Sequence, residues 1–257
     1  QIKMAGSDGT ADGYVYAESG DVGFLDDDGQ WCIKHDTDTS TTFYINNTAR
    51  AVIDANSRIS LSNNDSGADN TVFGFLAGAA LASGGDDNTL IGDYAGNAVS
   101  TGDQNVCIGA NAGLLIDSES GCTLIGYQAG DGNLNASHYC VAIGHNAFRG
   151  AATQEGTVAI GTSALTALTT GTGITAVGYK AGEKAITDNY STFIGYGAGK
   201  ECVDGGRNTV VGYGAMTGTQ AGNDDQTTSD SSQDNTFLGA YAGGGAWADV
   251  ASNNNVA

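Results

Sequence analysis

The chain has 257 residues, with 41 glycines, no proline, 8% aromatic and 15% charged residues. That is not the composition of an ordinary enzyme core, yet 40% hydrophobic residues are too many for a disordered chain. A net charge of −20, from 29 acids against nine Lys and Arg, repels phosphate backbones and anionic membranes and excludes a basic stripe for nucleic acid.

Only five of the acids are Glu. An Asp-dominated set predicts charged turns and not charged helices. Copies of such a chain repel one another, so association needs strong apolar contacts or a saline setting. No run of 18 apolar residues and no signal-peptide pattern occurs, so no membrane insertion is expected. The sequence starts at Gln1 and not at Met, which reads as a fragment or a processed product.

Residues 1–62 carry alternating segments, among them Tyr14-Val-Tyr16, Val22-Gly-Phe-Leu25, Trp31-Cys-Ile33 and Thr42-Phe-Tyr-Ile45. The clusters Asp26-Asp-Asp-Gly29 and Ile45-Asn-Asn-Thr48 divide them. This predicts a small antiparallel β-domain of hairpins, with Trp31 and Tyr44 in its core.

Residues 63–257 repeat. Gly74, Gly92, Gly109, Gly126, Gly144, Gly161, Gly178, Gly195, Gly212 and Gly239 are spaced 18, 17, 17, 18, 17, 17, 17, 17 and 27 residues apart. An aliphatic or aromatic residue precedes each glycine, from Phe73 and Ile91 to Leu238. Three residues after it stands alanine in every copy: Ala77, Ala95, Ala112, Ala129, Ala147, Ala164, Ala181, Ala198, Ala215 and Ala242. A fixed period in this range predicts a solenoid, here an all-β parallel roll of about ten 17-residue turns.

One copy can be read physically. Asn-Thr-Leu-Ile at 88–91 and Asn-Thr-Val-Val at 208–211 are short β-rich segments. The glycine permits a bend that a Cβ would obstruct, and the constant alanine marks a narrow interior. Ser-Gly-Gly-Asp-Asp at 83–87 and Asp-Gly-Gly at 204–206 are turn chemistry. Each copy therefore reads as a strand, a bend, a second short strand and a loop. The positions one and two before the glycine point to opposite faces, and both are apolar throughout. A strand that wants cover on both faces points to a second copy of the same wall, hence a homo-oligomer, or else to a thick monomer core fed by the loops. Tyr179, Tyr196 and Tyr213 share one position in consecutive turns. They predict an aromatic ladder, with Tyr127 and His145 at the same place in earlier turns, serving as a protomer interface or as a sugar-binding strip.

The runs Cys140-Val-Ala-Ile-Gly-His-Asn-Ala147 and Thr157-Val-Ala-Ile-Gly-Thr-Ser-Ala164 resemble the head repeats of trimeric autotransporter adhesins. The Asn-Thr-Leu-Ile-Gly-x-x-Ala-Gly copies, as at 88–96, are similar to repeats in tail and neck fibres of marine bacteriophages. The stretch Gly23 to Leu61 resembles segments common in phage fibre proteins. The resemblance implies a homotrimeric left-handed β-roll on a virion surface or on a bacterial outer surface. Other virion or fibre proteins, and a host-surface glycan or protein, are the implied partners. The Ala-Gly form of the repeat favours the phage fibre over the bacterial adhesin.

Little in the sequence suggests chemistry. Asp26-Asp27-Asp28-Gly29 lacks the alternating spacing and distal Glu of a calcium loop and reads as an acidic turn. His35, His138 and His145 have no zinc spacing among themselves or with Cys32, Cys107, Cys122, Cys140 and Cys202. The cysteines form no CxxC pair, their odd count argues against a full disulfide framework, and Cys122 and Cys140 are expected to stay free thiols. No cofactor, metal or catalytic residue is assigned. The enzymatic alternative is a tailspike-type glycan depolymerase with paired carboxylates, but Glu119, Glu155, Glu183 and Glu201 read as isolated loop residues. The segment Thr217–Asp234 reads as an outward-projecting insertion and a candidate contact site. Residues 254–257 match the start of an eleventh copy, as though cut from a longer fibre.

Overall fold

The computed structural model describes residues 2–5, 11–18, 21–26, 30–36, 40–45, 48–54, 59–60, 69–132, 137–150, 155–217 and 233–243. Among these residues every regular element is a strand. The antiparallel sheet runs in chain order through β1 (Ile2–Ala5), β2 (Ala11–Glu18), β3 (Asp21–Leu25), β4 (Trp31–Asp36), β5 (Ser40–Ile45), β6 (Thr48–Asp54) and β7 (Ile59–Ser60). The Asp26 turn closes its hairpin with the Gln30 amide donating to Asp26 Oδ1 at 2.7 Å. Trp31 and Tyr44 are half-buried and not core; Trp31 packs edge-on against Tyr16 at 5.7 Å.

The second sheet is parallel and has ten strands of three residues each. They are β8 (Thr71–Phe73), β9 (Thr89–Ile91), β10 (Val106–Ile108), β11 (Thr123–Ile125), β12 (Val141–Ile143), β13 (Val158–Ile160), β14 (Thr175–Val177), β15 (Thr192–Ile194), β16 (Thr209–Val211) and β17 (Thr236–Leu238). Each pairs in register with the next, so this is a β-solenoid one strand wide spanning on the order of 50 Å. Val210 pairs with Phe237 across the long interval. The extra residues therefore leave the ladder intact; Gly218–Ser232 lie outside the described residues, as do residues 254–257.

The expected second strand of each copy is a pair of tight turns instead. The amide of the constant alanine donates back to the carbonyl of the repeat glycine, as Ala181 to Gly178 at 3.3 Å. A second turn follows at once, as Ala185 to Gly182 at 3.0 Å. The cause lies in the backbone. The residues two and four after the glycine take left-handed φ in every turn, for example Lys180 at 56° and Gly182 at 59°. Positive φ interrupts an extended strand. The repeat glycines themselves lie at φ 126–145°, a region closed to residues with a Cβ. A Cβ on Gly126 would stand 2.7 Å from the Gly144 carbonyl oxygen of the next turn.

The core is a column inside the coil. The middle residue of each strand, the constant alanine and the residue seven after the glycine supply it, as Leu124, Ala129 and Ile116 do with no exposure. Volume is exchanged within a turn. Where the strand centre is large, as Leu90, Leu124, Phe193 and Phe237, the residue four after the glycine is Gly96, Gly130, Gly199 and Gly243. A Cβ on Gly96 or Gly130 would meet the leucine methyls of its own turn at 2.6 and 2.8 Å. Where the centre shrinks to Ala142 or Ala159, Phe148 or Leu165 fills that second place, fully buried.

The residue four before the glycine builds a buried polar ladder. Asn70 Oδ1 accepts the Asn88 amide at 2.8 Å, and Asn88 Oδ1 accepts the Asn105 amide at 2.9 Å. Asn88 and Asn105 also donate Nδ2 to the carbonyls of Gly102 and Glu119 at 2.9 and 2.8 Å. Asn208 repeats the arrangement with Asn235. Between them Cys122, Cys140, Thr157, Ile174 and Ser191 hold the same position. All five cysteines are free thiols, and Cys122 Sγ donates to the Ser137 carbonyl at 3.3 Å.

Two measurements check this packing. Moving the ring within one turn, as Ala142→Phe with Phe148→Gly, recreates the Phe193–Gly199 arrangement. The single Ala142→Phe change overpacks by about 1–3 kcal/mol and Phe148→Gly leaves a cavity costing about 3–5 kcal/mol. In urea unfolding the double variant recovers more than half of their sum, and strict additivity contradicts the exchange. The second concerns Asp188, which is fully buried, accepts a Cys202 thiol hydrogen bond at 3.4 Å and leaves Oδ1 unpartnered. Burial raises its pKa to about 6, against the opposing Ser191 and Cys202 hydrogen bonds. The folded chain thus holds this proton more tightly than the unfolded one. Its contribution is full below pH ~4 and is lost as the pH rises toward 6. Asp188→Asn gains stability over the parent by about 2–3 kcal/mol between pH 4 and 7; a pH-independent difference refutes this.

Candidate interaction surfaces

Outward from the ten strands project their first and third residues, from Thr71 and Phe73 to Thr236 and Leu238. None of these twenty side chains is charged. Seven of the first residues are Thr, and the third residues are Ile, Val, Leu or Phe. Stacking half-buries the inner members of this face, while Phe73 and Leu238 in the first and last strands are 68% and 70% exposed. The charge sits in the turns between copies. There the cations are matched to acids: Arg149 to Asp131 at 3.2 Å, Lys180 to Glu183 at 2.9 Å and Lys184 to Glu201 at 2.6 Å. Lys200 bridges to Glu201 at 3.3 Å and Arg207 pairs with Asp234 at 2.6 Å.

Beside the strand face, on the turn just after the repeat glycine, stand Tyr179, Tyr196 and Tyr213. In-register stacking makes them a ladder, with ring centres 4.9 and 5.2 Å apart and planes within 22° and 20° of parallel. Tyr127 and His145 stack in the same way at 5.2 Å; Thr162 separates the two groups. The ladder is capped at both ends. Lys180 Nζ lies 5.6 Å from the centre of the Tyr179 ring, and the Tyr241 ring stands edge-on to Tyr213 at 5.2 Å. The central ring Tyr196 is therefore covered on both faces, and the three tyrosines remain 41%, 54% and 51% exposed. A pyranose stacks on an open aromatic face, which Tyr196 does not offer.

The ten repeat glycines form the corner between these two surfaces, and the constant alanines line the interior behind them. Ala95, Ala112 and Ala181 are completely buried, and Ala242 packs against the core at its last described turn. A third apolar surface lies on the antiparallel sheet. Val15, Phe24, Ile33 and Phe43 pair across four strands, and Phe24 and Phe43 remain exposed.

Three of the four loop glutamates, Glu119, Glu183 and Glu201, have partners. Glu119 is buried, its Oε2 accepting the Asp117 amide at 2.6 Å. Glu183 and Glu201 share Lys200, at 3.9 and 3.3 Å. Burial pushes the Glu201 pKa up, but the hydrogen bonds and charges of Lys184 and Lys200 outweigh it and hold the carboxyl below its ordinary value. A carboxyl held ionised does not serve as the general acid of glycan hydrolysis. His138 Nδ1 accepts the Ser120 amide at 3.0 Å and so secures a turn. Among the described residues no group of three or more His, Cys, Asp or Glu is placed to hold a metal ion. The asparagine ladder and the buried Asp188 escape a reading by repeat alone. The clue to the first is Asn before Thr in Asn70, Asn88, Asn208 and Asn235.

Removing the central ring tests the ladder. Tyr196→Ala destabilises the solenoid by about 1–2 kcal/mol, two ring pairs being lost, and reduces the near-ultraviolet circular dichroism of Tyr179 and Tyr213. An unchanged spectrum contradicts the stacking. Compared with protein families, with curated proteins and with solved structures, the chain matches none.

Proposed function

We propose that this chain is a structural segment of a homotrimeric bacteriophage fibre, carried on the virion surface and contributing to host attachment. The observation that carries the reading is a rigid ten-turn rod whose outward strand face bears no charge, on a chain of net charge −20. A monomer already gains from excluding charge there, because in-register turns would stack like charges on one another, but it leaves the apolar column of that face in water. An assembly that buries the face gains apolar burial at about 25 cal/mol per Å² and avoids stacking like charges on one another. The resemblance of the Val-Ala-Ile-Gly and Asn-Thr-Leu-Ile-Gly copies to adhesin heads and phage fibre repeats supports the same reading. No reaction, cofactor or metal is assigned to the chain.

Light scattering after size exclusion tests the assembly. The expected mass is three times the 25.8 kDa of the chain, with little change between low and high salt, and a monomer at all concentrations refutes the trimer. Pre-incubating a host culture with the purified protein is expected to reduce phage adsorption without releasing reducing ends from the capsule. Released sugar would establish the depolymerase instead.

A further inference from the structure

The homotrimeric reading leaves open which surfaces meet, and the following rests on it. A threefold rotation brings a surface of one copy against a different surface of the next, so a closed trimer needs two complementary patches and not one. The solenoid has two columns poor in charge that fit this need. One is the outward strand residue before each repeat glycine, such as Ile125, Ile143, Ile160 and Val177. The other is the residue after each glycine, which includes Tyr127, Tyr179, Tyr196 and Tyr213. Between them the chain turns sharply, as the Gly178 carbonyl to Ala181 amide bond at 3.3 Å records. The ridge between the columns is glycine at every turn and carries no side chain.

We infer that the glycine ridge faces the threefold axis, and that the isoleucine–valine column of each copy packs against the tyrosine column of its neighbour. Three lines of observation converge on it. Charge comes first: of the twenty residues in the two columns, Asp93 is the only acid, His145 the only histidine, and none is Lys or Arg. Near a symmetry axis any charge meets two copies of itself within a Debye length of about 10 Å, and here the axis side is the side kept almost free of charge. Shape comes second. A ridge without side chains lets three backbones approach one line, and rings stacked within 22° of parallel make a continuous wall for aliphatic side chains. Height comes third. A pure rotation about an axis along the rod brings equal turns together, so Val177 of one copy faces Tyr179 of the next. A glycan occupant would instead need open ring faces or hydrogen-bonding side chains on the strand face. Tyr196 is stacked on both faces, and the strand face holds only hydroxyls of Thr among Ile, Val, Leu and one Phe.

Cross-linking decides it. Val177→Cys and Tyr179→Cys are made separately in a Cys32→Ser background, since the other four thiols are buried. A zero-length oxidant, copper phenanthroline, is then applied to each variant alone and to the two co-refolded, because a disulfide forms only between thiols in direct contact. The expected result is covalent dimer in the mixture only. Dimer from Val177→Cys alone, or none in a mixture that light scattering shows to be trimeric, overturns the inference and leaves the trimer standing. A monomeric parent overturns the trimer itself. As a second arm, Ile160→Asp and Tyr196→Asp each dissociate the trimer, whereas Thr169→Asp, on an exposed turn, leaves it intact. Equal behaviour of all three contradicts the assignment.

Discussion

The close approach of backbone to backbone at the repeat glycines governs this structure. At φ 126–145° each glycine brings its turn within van der Waals reach of the next one's main chain, and a Cβ on Gly126 would lie 2.7 Å from the Gly144 carbonyl oxygen. Because that approach recurs at the same place in every turn, the strands of three residues fall into register and the coil keeps a constant pitch. The alanine three residues on follows from it. A turn closed by the alanine amide on the glycine carbonyl aims that side chain into the narrowest part of the interior, where only a methyl group fits.

Inside this frame the sequence has freedom, and it uses it by exchange. A large residue at the strand centre is matched by glycine four after the repeat glycine, and a small one by Phe148 or Leu165. The buried asparagines bond from turn to turn, each hydrogen bond contributing on the order of 1 kcal/mol. Where Cys122 or Cys140 interrupts them the thiol donates to a carbonyl instead, and at Ile174 apolar burial takes over. Contacts are almost wholly between adjacent turns, so stability resides in neighbouring pairs and not in one central core. An insertion such as that before Gln233 is then tolerated if it leaves strand pairing intact, and the Val210–Phe237 register shows that it does.

Much of this was legible in the residues. Glycine and alanine columns mark positions where geometry forbids alternatives, so the period, the strands and the turn chemistry between copies stand out. The two turns that replace the expected second strand were not legible. Left-handed φ is taken there by Tyr94, Gln128, Lys180 and Leu165 as well as by glycine and asparagine, and nothing in those side chains announces it. Their strain, about 1 kcal/mol each, is offset by packing that becomes visible only when turns are stacked. Trp31 and Tyr44 were misplaced for a related reason: a small sheet has too little interior to bury large rings completely. The tyrosine ladder was legible as a column, but the contacts at its ends depend on Lys180 and Tyr241 from other positions of the turn.

Charge and function meet in the same geometry. Acids collect in turns because Asp favours them, which leaves the strand face without charge and the glycine corner nearly so. The account depends throughout on the glycine approach, and paired substitutions measure it directly. Gly126→Ala forces a Cβ against the next turn, whereas Gly156→Ala places one in open space at φ 66°, where Asp, Tyr and Arg occupy the equivalent position in other turns. In denaturant unfolding the account predicts a loss of at least about 2 kcal/mol, or failure to fold, for Gly126→Ala, against about 1 kcal/mol or less for Gly156→Ala. Equal stability of the two variants would contradict it.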